Sequence, residues 1–221
     1  MRGSKRVEMV KRWFGVEGRR SGWRGGGEEV VLPKVGEIVL ITGASGAGKS
    51  TLLRRCRARI PGRWRVDLDR LRIPEKTLAE LFEDVPLEEG LQMLSRVGLG
   101  EAHSYLLRPR ELSDGQRWRL GLAIAVHRAR VLAEAEKRRG SGVRGEGAGG
   151  RGVCIVADEF GGILDRVTAL IVARALRRAV DENEGLCAMV ASCREDLVEA
   201  LRPSRVMKCD FGRCEVGRED E

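Results

Sequence analysis

Gly43-Ala44-Ser45-Gly46-Ala47-Gly48-Lys49-Ser50, followed by Thr51, is the segment whose residue types and spacing most plainly specify chemistry. It matches GxxxxGK[ST], in which the glycines let the backbone curl so that successive N–H groups face phosphate oxygens. Lys49 can reach β- and γ-phosphates, and the Ser50 hydroxyl can ligate Mg²⁺. An apolar run, Ile38-Val39-Leu40-Ile41, precedes the loop, and a helical pattern, Leu52-Leu53-Arg54-Arg55, follows it. A glycine-rich turn alone would leave Lys49 and Ser50 unexplained. Further on, Val153-Cys154-Ile155-Val156-Ala157 ends in Asp158-Glu159. A carboxylate at the end of a buried strand beside the loop strand can hold Mg²⁺ through water, which is the part expected of Asp158. The adjacent Glu159 can act as general base on an attacking water.

Between these segments stands Leu112-Ser113-Asp114-Gly115-Gln116. Ser113 with Gln116 three residues on reads as a capping box at the start of a long helix. The same helix start, with the N–H groups of Gly115 and Gln116, is an anion site. The cap accounts for Ser113 and Gln116 but not for Gly115, which weakens a helix there.

This segment resembles the LSGGQ signature of ABC ATPases, with Asp114 in place of the first glycine of the pair. The likeness covers roughly residues 30–216, with the motifs in the family's order, and is similar in particular to stand-alone archaeal ABC-type ATPases, some of them fused to an acetyltransferase-like domain. It implies a homodimer in which the Ser113 end of one chain meets the γ-phosphate held by the other, so that ATP joins two chains head to tail. Gly161-Gly162-Ile163-Leu164-Asp165 looks like the family's D-loop, which implies that Asp165 lies at the dimer interface; Phe160 stands where the family has proline. An adenine-stacking aromatic upstream of the loop is implied too, with Trp23 best placed and Trp13 and Phe14 as rivals. Three departures qualify the likeness. The Q-loop glutamine has no counterpart, since Gln116 is in the signature and Gln92 lies within a helical pattern, so that position is missing or substituted near Arg72-Ile73-Pro74. Cys193 stands at the switch histidine, and a thiol cannot donate to a γ-phosphate as imidazole does. The stretch from Lys49 to Ser113 is short, which implies a trimmed helical subdomain.

The elements that must position these residues alternate between strand and helix. Strands are expected over 35–42, 64–68, 153–157 and 186–191, and helices after the loop, within 75–108, from Ser113 towards Lys137 and from Asp165 to about Glu182. A short helix near 196–201 and a hairpin, 205–209 with 214–216, close the chain. The expected class is α/β, a P-loop NTPase with a mostly parallel sheet, an antiparallel portion and a helical subdomain at about 75–125. Residues 1–29 read as a basic, irregular lead-in with one edge strand, residues 30–216 as one domain, 138–152 as a flexible Gly/Arg loop, and 217–221 as an acidic tail.

Length and composition agree with one domain: 221 residues, 42% apolar. No apolar run reaches the ~18 residues of a membrane span, and no apolar segment follows the basic N-terminus, so a cytoplasmic protein without a signal peptide is expected. The six cysteines then read as reduced thiols; Cys209 and Cys214 flank a turn where a cross-strand disulfide is conceivable, but buried free thiols are the expectation. The net charge of +8 comes mostly from arginine, and with one Asn and two Gln it fits a thermophile depleted in heat-labile amides. It also permits nucleic-acid contact through the lead-in and the Gly/Arg loop. The expected activity is Mg²⁺-dependent ATP hydrolysis, slowed by Cys193, that drives a change in an unidentified protein partner. The alternatives are a nucleotide-binding subunit paired with separate membrane subunits, and an ATP sensor with little turnover.

Overall fold

The computed structural model describes residues 5–15, 30–139, 152–210 and 213–217. The central element is a six-stranded sheet built from β1 (Ile38–Thr42), β2 (Arg65–Asp67), β3 (Val153–Ala157), β4 (Leu186–Ala191), β5 (Arg205–Asp210) and β6 (Arg213–Gly217). Their order across the sheet is β2-β3-β4-β1-β5-β6. All neighbours are parallel except β5 and β6, which form the closing hairpin. Parallel strands need both faces covered, and β1, β3 and β4 are buried along their whole length.

The period-2 alternation of β1 sends Ile38 and Leu40 to one face and Val39 and Ile41 to the other. On the second face, Leu52, Leu53 and Cys56 of α2 (Lys49–Ala58) close a small core with Met189 and Met207. On the first face lie α4 (Asp114–Arg138) and α5 (Arg166–Glu182), together with α3 (Leu87–Arg96). A 3-10 turn and α6 (Val198–Leu201) connect β4 to β5.

Several expectations are corrected. Within 75–108 only α3 is α-helix; 3-10 turns at Ala79–Phe82 and Ala102–Leu106 replace the rest. Gly98, at φ +81, ends the α3 segment in the left-handed region that favours glycine. The lead-in is not irregular throughout: α1 (Lys5–Phe14) is helical, its Val7/Val10 and Met9/Trp13 pairs standing at i,i+3 and i,i+4. Trp23 lies outside the described residues, as do 140–151 of the Gly/Arg loop and the acidic tail after Gly217. Cys209 and Cys214 are joined in a disulfide rather than standing as free thiols. They face each other in the antiparallel register with Cα atoms 4.3 Å apart, so the ladder itself brings the sulfurs together. Cys56, Cys154, Cys187 and Cys193 are free; burial pushes the Cys56 thiol up to about 11 and leaves it inert.

The helical layer is pinned by Phe82, fully enclosed and edge-on to His127 of α4 with ring centroids 5.4 Å apart. The backbone of Gly90 in α3 runs so close that a Cβ there would touch Phe82 at 3.0 Å. Phe82→Ala should therefore cost about 3–5 kcal/mol in urea unfolding. Leu106→Ala, at a site 74% exposed, should stay within about 0.5 kcal/mol of the parent.

Candidate functional site

The loop between β1 and α2 is shaped by three glycines in the left-handed region, Gly43 at φ +140, Gly46 at φ +79 and Gly48 at φ +103. Gly43 has a second reason to lack a side chain, because a Cβ there would overlap the carbonyl oxygen of Cys209. Ala47 is buried and bonds its N–H to Ala44 O at 3.2 Å, while Ala44, Ser45 and Gly46 lie open to solvent. Gly48 is the N-cap of α2 and offers no side chain to its first turn, so the helix start is left for an anion. The Thr51 N–H goes to Gly48 O at 3.0 Å. Lys49 donates from Nζ to the carbonyls of Gly43 and Ala44, each at 2.8 Å. It has no carboxylate partner among the ion pairs of the described residues, so its charge is held at the mouth of the loop.

Ser50 Oγ donates to Asp158 Oδ1 at 3.0 Å. The strand order makes this contact less direct than the sequence suggests: β3 is not beside β1, because β4 lies between them. The first turn of α2 projects beyond the strand ends and spans the gap. A hydroxyl and a carboxylate oxygen converging at a lysine-bearing helix start form a hard oxygen pair suited to Mg²⁺, so the residues present fit that ion.

Asp158 Oδ1 also accepts the Glu159 N–H at 3.0 Å. Glu159 is exposed and sits at φ +47, a region costly for a residue with a Cβ and common at functional positions. Gly162 donates its N–H to Glu159 O at 2.8 Å and closes the turn that holds this conformation.

The structure adds a residue that nothing in the sequence motifs marks. After β2 a 3-10 turn carries Asp69, whose Oδ2 accepts the Asp158 N–H at 2.8 Å. The residue bonded to Asp158 from this side is Asp69, and Gln92 lies away on α3 facing α4 and α5. Asp67, two residues earlier, is occupied by Arg57 at 2.6 Å and Arg65 at 2.9 Å. Asp69 keeps an edge in water, yet the protein packed around the rest of the carboxyl pushes it above the usual 3.8. The charges of Asp158 and Asp67 push the same way, and the Asp158 N–H opposes them.

Ser113 is the N-cap of α4, with both capping-box bonds formed: Gln116 N–H to Ser113 Oγ at 3.2 Å and Ser113 N–H to Gln116 Oε1 at 2.9 Å. The Gln116 N–H is thus already engaged by the cap. Gly115 gains a packing explanation, since a Cβ there would meet Leu164 at 3.3 Å. Asp165 is exposed and caps α5 by accepting the Thr168 N–H at 3.0 Å; this bonding with Thr168 holds its carboxyl below the usual 3.8. Cys193 is exposed at the end of β4, and the next residue, Arg194, turns back onto the segment after Glu159. Its Nη1 donates to Leu164 O at 2.8 Å, while Nε and Nη2 grip Asp196 at 3.2 and 2.9 Å. His127 is bound to Asp84 at 2.8 Å within the helical layer, and His103 is exposed.

Comparison with known proteins agrees with this geometry. A sequence model of the family described as ABC transporter matches residues 33–133. The phosphonates import ATP-binding protein PhnC of Hyphomonas neptunium is 27% identical over 205 residues, 74% of this chain and 69% of its own. The lipoprotein-releasing system ATP-binding protein LolD 1 of Rhodospirillum rubrum is 29% identical over 215 residues, 80% of this chain and 83% of its own. Over residues 33–133 the chain is thus similar to the ABC transporter family, and these two relatives are ATP-binding proteins of that kind. Its fold is that of solved ABC cassettes: the dimeric cassette MJ0796 superposes with a TM-score of 0.55 at 18% identity, over 86% of this chain and 89% of that one. The cbiO1 subunit of Clostridium perfringens gives 0.52 at 18% identity, over 84% and 78%. The expected α/β P-loop architecture, with its mostly parallel sheet, is therefore the observed one.

Because the folded Asp69 carboxyl titrates above 3.8, the folded state holds that proton more tightly than the unfolded chain. Its contribution to stability is greatest in acid and is lost as pH rises through the folded value. Asp69→Asn should flatten the stability–pH curve in the interval just above 3.8. Asp69→Ala, which strips the Asp158 N–H of its acceptor, should cost about 1 kcal/mol at neutral pH. Superimposable urea-unfolding profiles for parent and Asn variant across that interval would contradict this assignment.

Proposed function

We propose that this ABC ATPase domain binds ATP with Mg²⁺ at the 43–51 loop, pairs head to tail with a second copy around the nucleotide, and hydrolyses it to drive a conformational change in a partner protein. The observation that carries this reading is the convergence of Lys49, Ser50 and Asp158 at the open start of α2. The backbone of residues 43–48 and the helix start take the phosphates, and Lys49 turns from the Gly43 and Ala44 carbonyls to the β- and γ-oxygens. Ser50 and Asp158 would hold Mg²⁺, whose charge would offset that building on the phosphates. Glu159, exposed next to Asp158, takes the proton of the attacking water. Ser113 and Gly115 of the second copy supply the far wall of the γ-phosphate site, and Asp165 lies at the seam. Trp23 is the proposed adenine-stacking residue. Cys193 contributes no donor comparable to imidazole, so slow turnover is expected.

The names of the two relatives, an import protein and a releasing-system protein, support a second reading in which the partner is a separate membrane subunit. Recovery of the chain with a polytopic membrane protein would favour that reading, and recovery without one would favour a partner outside the membrane.

Lys49→Ala should weaken ATP binding by about tenfold to a hundredfold, the range for losing charge-assisted hydrogen bonds. Glu159→Gln should keep binding while phosphate release falls by about 10²- to 10⁴-fold, and should collect as an ATP-dependent dimer in light scattering. Ser113→Ala in that background should reduce the dimer without abolishing ATP binding by the monomer. Equal phosphate release by the parent and Glu159→Gln would remove the enzyme reading and leave an ATP sensor.

A further inference from the structure

α1 (Lys5–Phe14) carries an apolar surface that the rest of the described chain does not cover. Val7, Met9, Val10 and Trp13 are 50%, 48%, 50% and 69% exposed. At 3.6 residues per turn these four side chains share one arc of roughly 160°, while Lys5, Glu8, Lys11 and Arg12 share the opposite one. Arg6 falls inside the apolar arc. A helix of 10 residues is shorter than the ~12–15 that an isolated helix needs to persist in water. Its stability therefore depends on covering that face.

The charge pattern selects the cover. Four cations stand on α1 against one carboxylate, Glu8, which pairs with Lys11 at 3.0 Å. A nucleic acid would engage the cationic arc and leave Val7, Met9, Val10 and Trp13 in water. Pairing with α1 of a second copy would bury Arg6 in the seam and bring like charges together. A bilayer satisfies both arcs. The apolar arc enters the headgroup boundary, where an amphipathic ring such as Trp13 is favoured. Arg6 extends its stem along the apolar surface and its guanidinium to a phosphate, and the basic arc faces anionic headgroups.

We propose that α1 is an interfacial anchor that lays this protein on an anionic lipid surface. No helix among the described residues is long and apolar enough to cross a membrane, so the helix lies in the plane of the interface. With one short helix as the anchor, attachment is reversible and weakened by salt. The inference does not rest on the ATPase reading, because it is argued from the exposed face and the charges of α1 alone.

The test is co-sedimentation of the full chain with vesicles of phosphatidylcholine, alone or mixed with phosphatidylglycerol. The parent should partition at least about tenfold more strongly onto the mixed vesicles, given a factor of about five per basic residue near the surface. Val10→Glu should lower that partition to the level of neutral vesicles. Lys5→Ala combined with Arg12→Ala should weaken it about twentyfold. Mixed vesicles should shift tryptophan emission to the blue, and Trp13→Phe should diminish the shift while sedimentation persists. ATP affinity should be unchanged in Val10→Glu and in the Lys5→Ala, Arg12→Ala variant, which separates failure of the anchor from failure of the nucleotide site. Absence of parent binding to mixed vesicles, or undiminished binding by Val10→Glu, would overturn the proposal. A dimer that depends on Val10, or binding to labelled RNA or DNA in place of vesicles, would overturn it as well.

Discussion

The hydrogen bond from Ser50 Oγ to Asp158 Oδ1, 3.0 Å long, joins two segments that the sheet keeps apart. β4 lies between the strands that lead to them, and the bond forms only because the first turn of α2 projects past the strand ends. That projection requires the chain to leave β1 through Gly43, Gly46 and Gly48 in the left-handed region. It also requires the hairpin of β5 and β6 to sit where it does, since the Cys209 carbonyl occupies the space a side chain at position 43 would need. The disulfide to Cys214 holds that hairpin on the far side of the loop. The phosphate loop is thus shaped from behind by the antiparallel edge and from in front by a carboxylate two strands away.

The other half of the site is held by backbone carbonyls. Phe160 N–H bonds Ala191 O at 2.8 Å, and Ser192 Oγ donates to Phe160 O at 2.9 Å. Arg194 adds its bond to Leu164 O at 2.8 Å. The end of β4 therefore grips the whole segment that follows Glu159. Where the ABC resemblance leads one to expect a histidine facing phosphate, this chain has an exposed thiol followed by an arginine directed inward at Leu164. The residues after β4 act on the segment containing Asp165 whether or not a side chain there touches nucleotide.

Some of this was legible in the sequence, and the reasons differ from residue to residue. β3 and β4 were readable to the residue because strands buried on both faces are unbroken apolar runs. The start of α4 was readable because Ser113 and Gln116 cap each other locally, without help from tertiary structure. The stretch 75–108 was legible only in part, because its apolar spacing suits one helix while Pro86, Gly98 and Gly100 divide it into α3 and flanking pieces that form only 3-10 turns. Asp69 was hidden for another reason: its part is played through the Asp158 N–H, 89 positions away, and nothing in residue type marks a surface aspartate for such a contact. The disulfide runs against the expectation of reduced thiols because the antiparallel register of β5 on β6, a tertiary feature, sets Cys209 opposite Cys214.

α4 links these parts. Its first turn carries Ser113, and Gly115 packs on Leu164. One turn on, Trp118 meets Phe160 edge-on with ring centroids 5.2 Å apart. Gly121 then admits Leu68, next to Asp69, at 3.3 Å from where its Cβ would stand. Arg119 reaches across to Gly98 O at 2.7 Å and fixes the same helix to the end of α3. A close-packed interior passes displacement on rather than absorbing it. The N-terminus of α4 therefore cannot shift without moving Leu164 and Phe160, and Phe160 is the residue bonded to Glu159. In this chain the Ser113 end of α4 and the Asp158–Glu159 pair are coupled by direct packing, through two aromatic rings and two glycines, within a single subunit.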